Sequence, residues 1–104
     1  MNGLNFYYYA GGLHPAYVRG QALMALRRYA EAAAEFQKIL DHRGLVALDP
    51  IGALAHLQLG RAFALSGDTT RARASYETFL TLWKDADADI PILKSAKAEY
   101  ARLR

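Results

Sequence analysis

Apolar positions along this chain fall into segments with a helical period, and two of those segments repeat each other 40 residues apart. From Pro15 to about Leu26, the residues Val18, Ala22, Leu23 and Leu26 stand at the i, i+4, i+5 and i+8 offsets, which predicts one apolar helix face. A second helix is predicted from Tyr29 to Asp41, with Ala32, Ala33, Phe36, Ile39 and Leu40 turned inward. Arg27 and Arg28 form the turn between them, and Gly44 stops the second helix, as glycine does just past a helix end. An apolar connector, Leu45 to Leu48, is expected to pack between the units. Asp49-Pro50 then opens a third helix reaching about Ser66, since Asp accepts from free backbone amides and Pro tolerates the first turn. Ser66-Gly67-Asp68 makes the next turn, and the fourth helix spans roughly Thr69 to Trp83. A polar stretch, Lys84 to Asp89, leads through Ile90-Pro91 into a last helix ending near Leu103. Its apolar residues Ile92, Leu93, Ala96 and Tyr100 keep the helical period, with Lys94, Lys97 and Arg102 facing outward. No segment alternates at period two, so the predicted fold class is all-α, a stack of antiparallel helical hairpins.

The repetition is specific in its residue types. Gly20, Ala22, Ala32, Ala34 and Leu40 recur as Gly60, Ala62, Ala72, Ala74 and Leu80, while Phe36 is answered by Tyr76 and Leu23 by Phe63. A glycine inside a helix is unfavourable on propensity alone. Its recurrence therefore points to close approach: Gly20 and Gly60 let the first helix of a pair come near the second. Ala32 and Ala72 stand where larger side chains would push the helices apart, and Phe36 and Tyr76, one turn later, are expected to fill the groove toward the next hairpin.

At these positions the chain resembles the tetratricopeptide repeat family, whose helix pairs carry a small residue along the first helix, then an Ala and an aromatic on the second. The resemblance covers residues 13–86, and residues 90–103 look like the solubilising helix that ends such arrays. It implies a single domain with an aromatic N-terminal arm (1–13), a first repeat (14–44), a second repeat (50–84) and a capping helix (90–103). Arg27 replaces the usual turn glycine, which implies a different closure of the first hairpin, and His56 stands where a bulky apolar residue is usual. The 40-residue spacing exceeds the family's ~34 and suits HEAT-type repeats too, but the Gly, Ala and aromatic positions argue against those. More narrowly, AAAEFQKILDHRG, DPIGALAHLQLGRAFALSGD and FLTLWKDADADIPILK are similar to the tail that follows the kinase domain in a group of bacterial serine/threonine protein kinases. The kinase motifs themselves are absent from these 104 residues, so the resemblance implies an interaction tail that phosphorylates nothing.

Composition adds limits. The chain is 53% hydrophobic, enough for a packed core, and its lack of Cys excludes disulfides and thiolate metal sites. Its formal charge of +3 is spread among interleaved acids and bases, which reads as a solvated surface rather than a nucleic-acid footprint. No apolar run reaches the ~20 residues that span a bilayer, and no signal-peptide pattern opens the chain, so a cytoplasmic location is the expectation.

Neither a catalytic nor a metal centre is predicted, and no cofactor is expected. His14, His42 and His56 lie on different elements; His56 is expected to pack between helices and His42 to complement a helix end. Asp85, Asp87 and Asp89 lack the glycine and glutamate of a calcium loop and read as linker and cap. The family resemblance implies instead a protein or peptide partner on the concave surface lined by the first helices. Tyr17, Gln21, Met24, Leu57, Gln58 and Arg61 are the expected contact residues, with Leu65 beside them; Tyr17, Met24 and Leu57 equally suit the core. Phe6 to Tyr9 form an aromatic run that either caps the first hairpin or docks into another copy, making a homodimer. Two repeats fall short of the three usually needed for a stable stack, so homo-oligomerisation stands as the alternative function.

Overall fold

A computed structural model describes residues 15–41, 50–86 and 89–103. The aromatic arm, His14, His42, Gly44, the Leu45–Leu48 connector and Asp49 lie outside them. Every regular element among the described residues is a helix: α1 (Pro15–Ala25), α2 (Tyr29–Asp41), α3 (Pro50–Leu65), α4 (Thr69–Leu82) and α5 (Pro91–Arg102). Each packs mainly on its chain neighbours, α1 on α2, α2 on α3, α3 on α4 and α4 on α5, as a stack of helical hairpins requires.

Local chemistry sets several helix ends. The Asp68 side chain accepts a hydrogen bond from the Arg71 amide at 3.1 Å and caps α4. Pro91 stands at the start of α5, where its missing N–H costs nothing.

The core is built on the repeated glycines. A β-carbon on Gly20 would lie 2.6 Å from the Phe36 ring, and one on Gly60 would lie 2.9 Å from the Tyr76 ring. Ala32 and Ala72 are fully buried at the crossings. Helix α3 is enclosed on several sides, with Ile51, Ala53, Leu54, Ala55, Leu57, Leu59 and Ala62 all buried, because α2 and α4 both pack against it.

Helix α1 departs from its predicted face. Val18 is 40% exposed and Leu26 64% exposed, and Ala22 is exposed too. The buried side is Ala16, Tyr17 and Gly20, with Leu23 and Met24 packed at its edge. The helix is short and carries apolar residues around most of its circumference, so a second stripe, centred on Gly20, was available. Contact with Phe36 selects it.

The first hairpin also closes as the second does, despite Arg27. Arg27 N–H donates to the Met24 carbonyl at 3.0 Å and Arg28 N–H to that of Leu23 at 2.9 Å; Gly67 and Asp68 repeat this with Ala64 at 3.2 Å and Phe63 at 2.8 Å. Arg27 adopts φ +62°, the left-handed conformation that Gly67 takes at +92°. That conformation costs a non-glycine residue about 1–2 kcal/mol. Arg27→Gly is therefore expected to stabilise the chain by about 0.5–1 kcal/mol, the added unfolded-state entropy of glycine offsetting part of the relief. Urea denaturation checks the sign.

Candidate functional site: a groove between α1, α3 and α5

Helices α1, α3 and α5 alternate with α2 and α4, and a groove of about 400 Å³ lies where they converge. Met24 of α1 stands one turn past Gly20, and Ala64 and Leu65 of α3 stand one turn past Gly60, so the same close approach that builds the core places these walls. Tyr76, Glu99, Arg102 and Leu103 complete the lining.

The floor is a polar network joining three helices. Arg61 donates from Nε to Glu99 Oε1 at 2.9 Å and from Nη2 to Oε2 at 3.0 Å. The Tyr76 hydroxyl donates to Glu99 Oε1 at 2.6 Å. The Arg61 and Glu99 side chains are 26% and 23% exposed, and the forked pairing fixes them more firmly than a single contact would. Beside it, Tyr100 packs its ring 6.4 Å from that of Tyr76 and donates to Glu77 Oε2 at 2.6 Å.

These contacts shift the titrations. Burial pushes the Glu99 carboxyl up, but hydrogen bonds from Arg61 and Tyr76, with the charges of Arg61 and Arg102, outweigh it and hold the group below its ordinary 4.5. Burial pulls the Arg61 guanidinium down, and Glu99 more than offsets this. Burial raises the Tyr76 hydroxyl, as does its bond to Glu99. Desolvation lowers His56 of α3 below its ordinary 6.5, so its imidazole is neutral in the fold at neutral pH.

Both lowered groups bind protons more readily when unfolded, so each contributes stability above its unfolded pKa that is lost as pH falls through its folded one. Stability is thus expected to decline first below about pH 6.5, through His56, and again in the carboxylate range, through Glu99. Urea midpoints measured across pH check this; His56→Asn should remove the upper step and Glu99→Gln should weaken the lower one.

Of the residues expected on the concave surface, Met24, Arg61 and Leu65 line this groove. Tyr17 and Leu57 are instead core residues, 1% and 0% exposed, and Gln58 is buried with its amide donating to the Tyr17 hydroxyl at 3.3 Å. Tyr17 is drawn inward by an edge-on contact with Phe36, ring centroids 5.6 Å apart. Gln21 is half-buried and outside the groove lining. Nothing in the apolar pattern places Ala64, Glu99 or Leu103 in this lining, and Arg102, expected to face outward, is exposed at its edge. One signal for Glu99 was present: it is the single acid in the sequence PILKSAKAEYAR of α5. Among the described residues no cluster of His, Asp or Glu could hold a metal ion.

A sequence model described as tetratricopeptide repeat matches residues 17–88, more than half of the chain. The chain belongs to the tetratricopeptide repeat family. No curated protein and no solved structure matches it. The matched residues take in nearly all of the hairpins α1–α2 and α3–α4, within which Gly20 meets Phe36 and Gly60 meets Tyr76. Helix α5, which supplies Glu99 and Arg102 to the groove, lies beyond the matched residues. Tetratricopeptide repeats generally mediate protein–protein interaction.

Proposed function

We propose that this chain is a protein-interaction module that holds a peptide or partner helix in the groove between α1, α3 and α5. The observation carrying this reading is the groove itself, to which four helices contribute and at which Leu65 stays 58% exposed. A large apolar side chain left at the mouth of a concavity is a natural anchor for a partner. Peptides selected from a random display library on the intact chain supply the test. Leu65→Ser is expected to weaken their binding roughly tenfold, as loss of one well-packed apolar contact does, with the helical circular dichroism unchanged. Peptides that bind Leu65→Ser as tightly as the parent chain would sink the groove. Arg61→Glu is unsuited to this purpose, because it sets a second carboxylate beside Glu99 and disturbs the fold.

The three phrases similar to bacterial kinase tails support a place in a cytoplasmic signalling protein, as the interaction segment behind a kinase. A reading frame without a kinase domain alongside would argue against that placement. Self-association is a second reading, favoured by Val18 and Leu26, which stand exposed on and just past α1 and do not line the groove. A monomeric mass in sedimentation of the intact chain would remove it.

A further inference from the structure

We propose that the groove selects a peptide segment in which a large apolar side chain stands next to an internal acidic one. The inference rests on the groove being the ligand face. Met24, Ala64, Leu65 and Leu103 supply an apolar wall within about 400 Å³, at the small end of ligand sites, which suits an anchoring side chain and its neighbour. The polar lining is unbalanced. Two guanidinium groups, Arg61 and Arg102, face one carboxylate, Glu99. That carboxylate is already engaged: Oε1 accepts from Arg61 and Tyr76, and Oε2 accepts from Arg61. It therefore offers little to a basic ligand. Arg102 is exposed and its side chain makes no hydrogen bond or ion pair among the described residues, and Arg61 Nη1 is not engaged by Glu99. A carboxylate beside the apolar anchor would give the Arg102 guanidinium a direct partner, which a neutral ligand does not. One exposed guanidinium suits a side-chain carboxylate on a flexible stem. A chain terminus calls for several converging donors.

The test uses short peptide pools with a central Leu, measured by fluorescence anisotropy on the intact chain. Three amidated pools carry Asp/Glu, Asn/Gln or Lys/Arg flanks; a fourth carries Asn/Gln flanks and a free C-terminus. The acidic pool is expected to bind roughly fivefold more tightly than the amidated Asn/Gln pool, the scale of one exposed charge pair. Arg102→Gln should erase that preference, bringing the acidic and amidated Asn/Gln pools to equal affinity, and added salt should shrink it. Leu65→Ser should weaken every pool. Equal binding of the acidic and amide pools, with both sensitive to Leu65→Ser, overturns the acid selectivity and leaves the interaction groove standing. Tightest binding by the basic pool overturns the selectivity as well. A preference for the free terminus gives the site to a chain end and overturns the internal acid. Binding by no pool, or binding indifferent to Leu65→Ser, removes the groove reading and this inference together.

Discussion

Tyr76→Ala is expected to destabilise the chain by about 3–5 kcal/mol, the usual cost of deleting a buried aromatic ring. Tyr76 is 2% exposed and its ring fills the space left by Gly60, so its loss opens a void between α3 and α4. Two further contacts go with it. The ring supports Tyr100 of α5, and the hydroxyl is a donor to Glu99, a partly buried carboxylate that then keeps only Arg61. Small domains have only about 5–15 kcal/mol of stability in total, so this one change consumes a large share. Tyr76→Phe separates the parts: it keeps the ring and removes the hydroxyl, and should cost about 1 kcal/mol. Urea denaturation of both variants decides the matter. A loss below about 1 kcal/mol for the alanine variant would put the ring outside the core.

That Gly60 marks a close helix approach and Tyr76 a filled groove is legible in the sequence because both recur with the repeat; the contact of the ring with Gly60 itself is visible only in the fold. Glycine within a helix is conspicuous, and its recurrence at the spacing of an equally repeated aromatic leaves few explanations. The role of Glu99 had no such signature. Its partners, Arg61 and Tyr76, lie on two other helices, and Glu99 stands outside the repeated segments. Only its isolation as an acid on a basic helix marked it. The inward face of α1 departs from the periodicity for a different reason. Two apolar stripes are present there, and periodicity does not choose between them; contact with α2 does. The contact of Gly20 with Phe36 turns the Ala16, Tyr17 and Gly20 side inward. Of the two places open to Tyr17, concave surface or core, that contact selects the core. The first turn taught the reverse lesson. Backbone hydrogen bonds imposed the same closure on both hairpins, and Arg27 accepts a strained conformation to satisfy them.

The second large effect belongs to Gly20. Gly20→Leu is expected to cost about 3 kcal/mol, at the upper end for overpacking a core. The first added carbon would already fall 2.6 Å from Phe36 Cε1 and Cζ, well inside contact distance. Phe36 has no room to yield, being 0% exposed and braced edge-on by Tyr17 at 5.6 Å. Helix propensity pulls the other way, since leucine is favoured over glycine by roughly 1 kcal/mol in a helix interior. A stabilised Gly20→Leu variant would therefore show that α1 and α2 do not approach closely. Thermal or urea unfolding gives the sign, and a double-mutant cycle with Phe36→Ala gives the mechanism. If ring and glycine form one lock, the double variant loses less than the two single losses combined; additive losses would mean the residues act separately. The same lock reaches the groove. Met24 stands one turn beyond Gly20 on α1, so pushing that helix away from Phe36 moves one wall of the site. A Gly20 variant that still folds should then bind the selected peptides more weakly, although Gly20 itself is buried and does not line the groove.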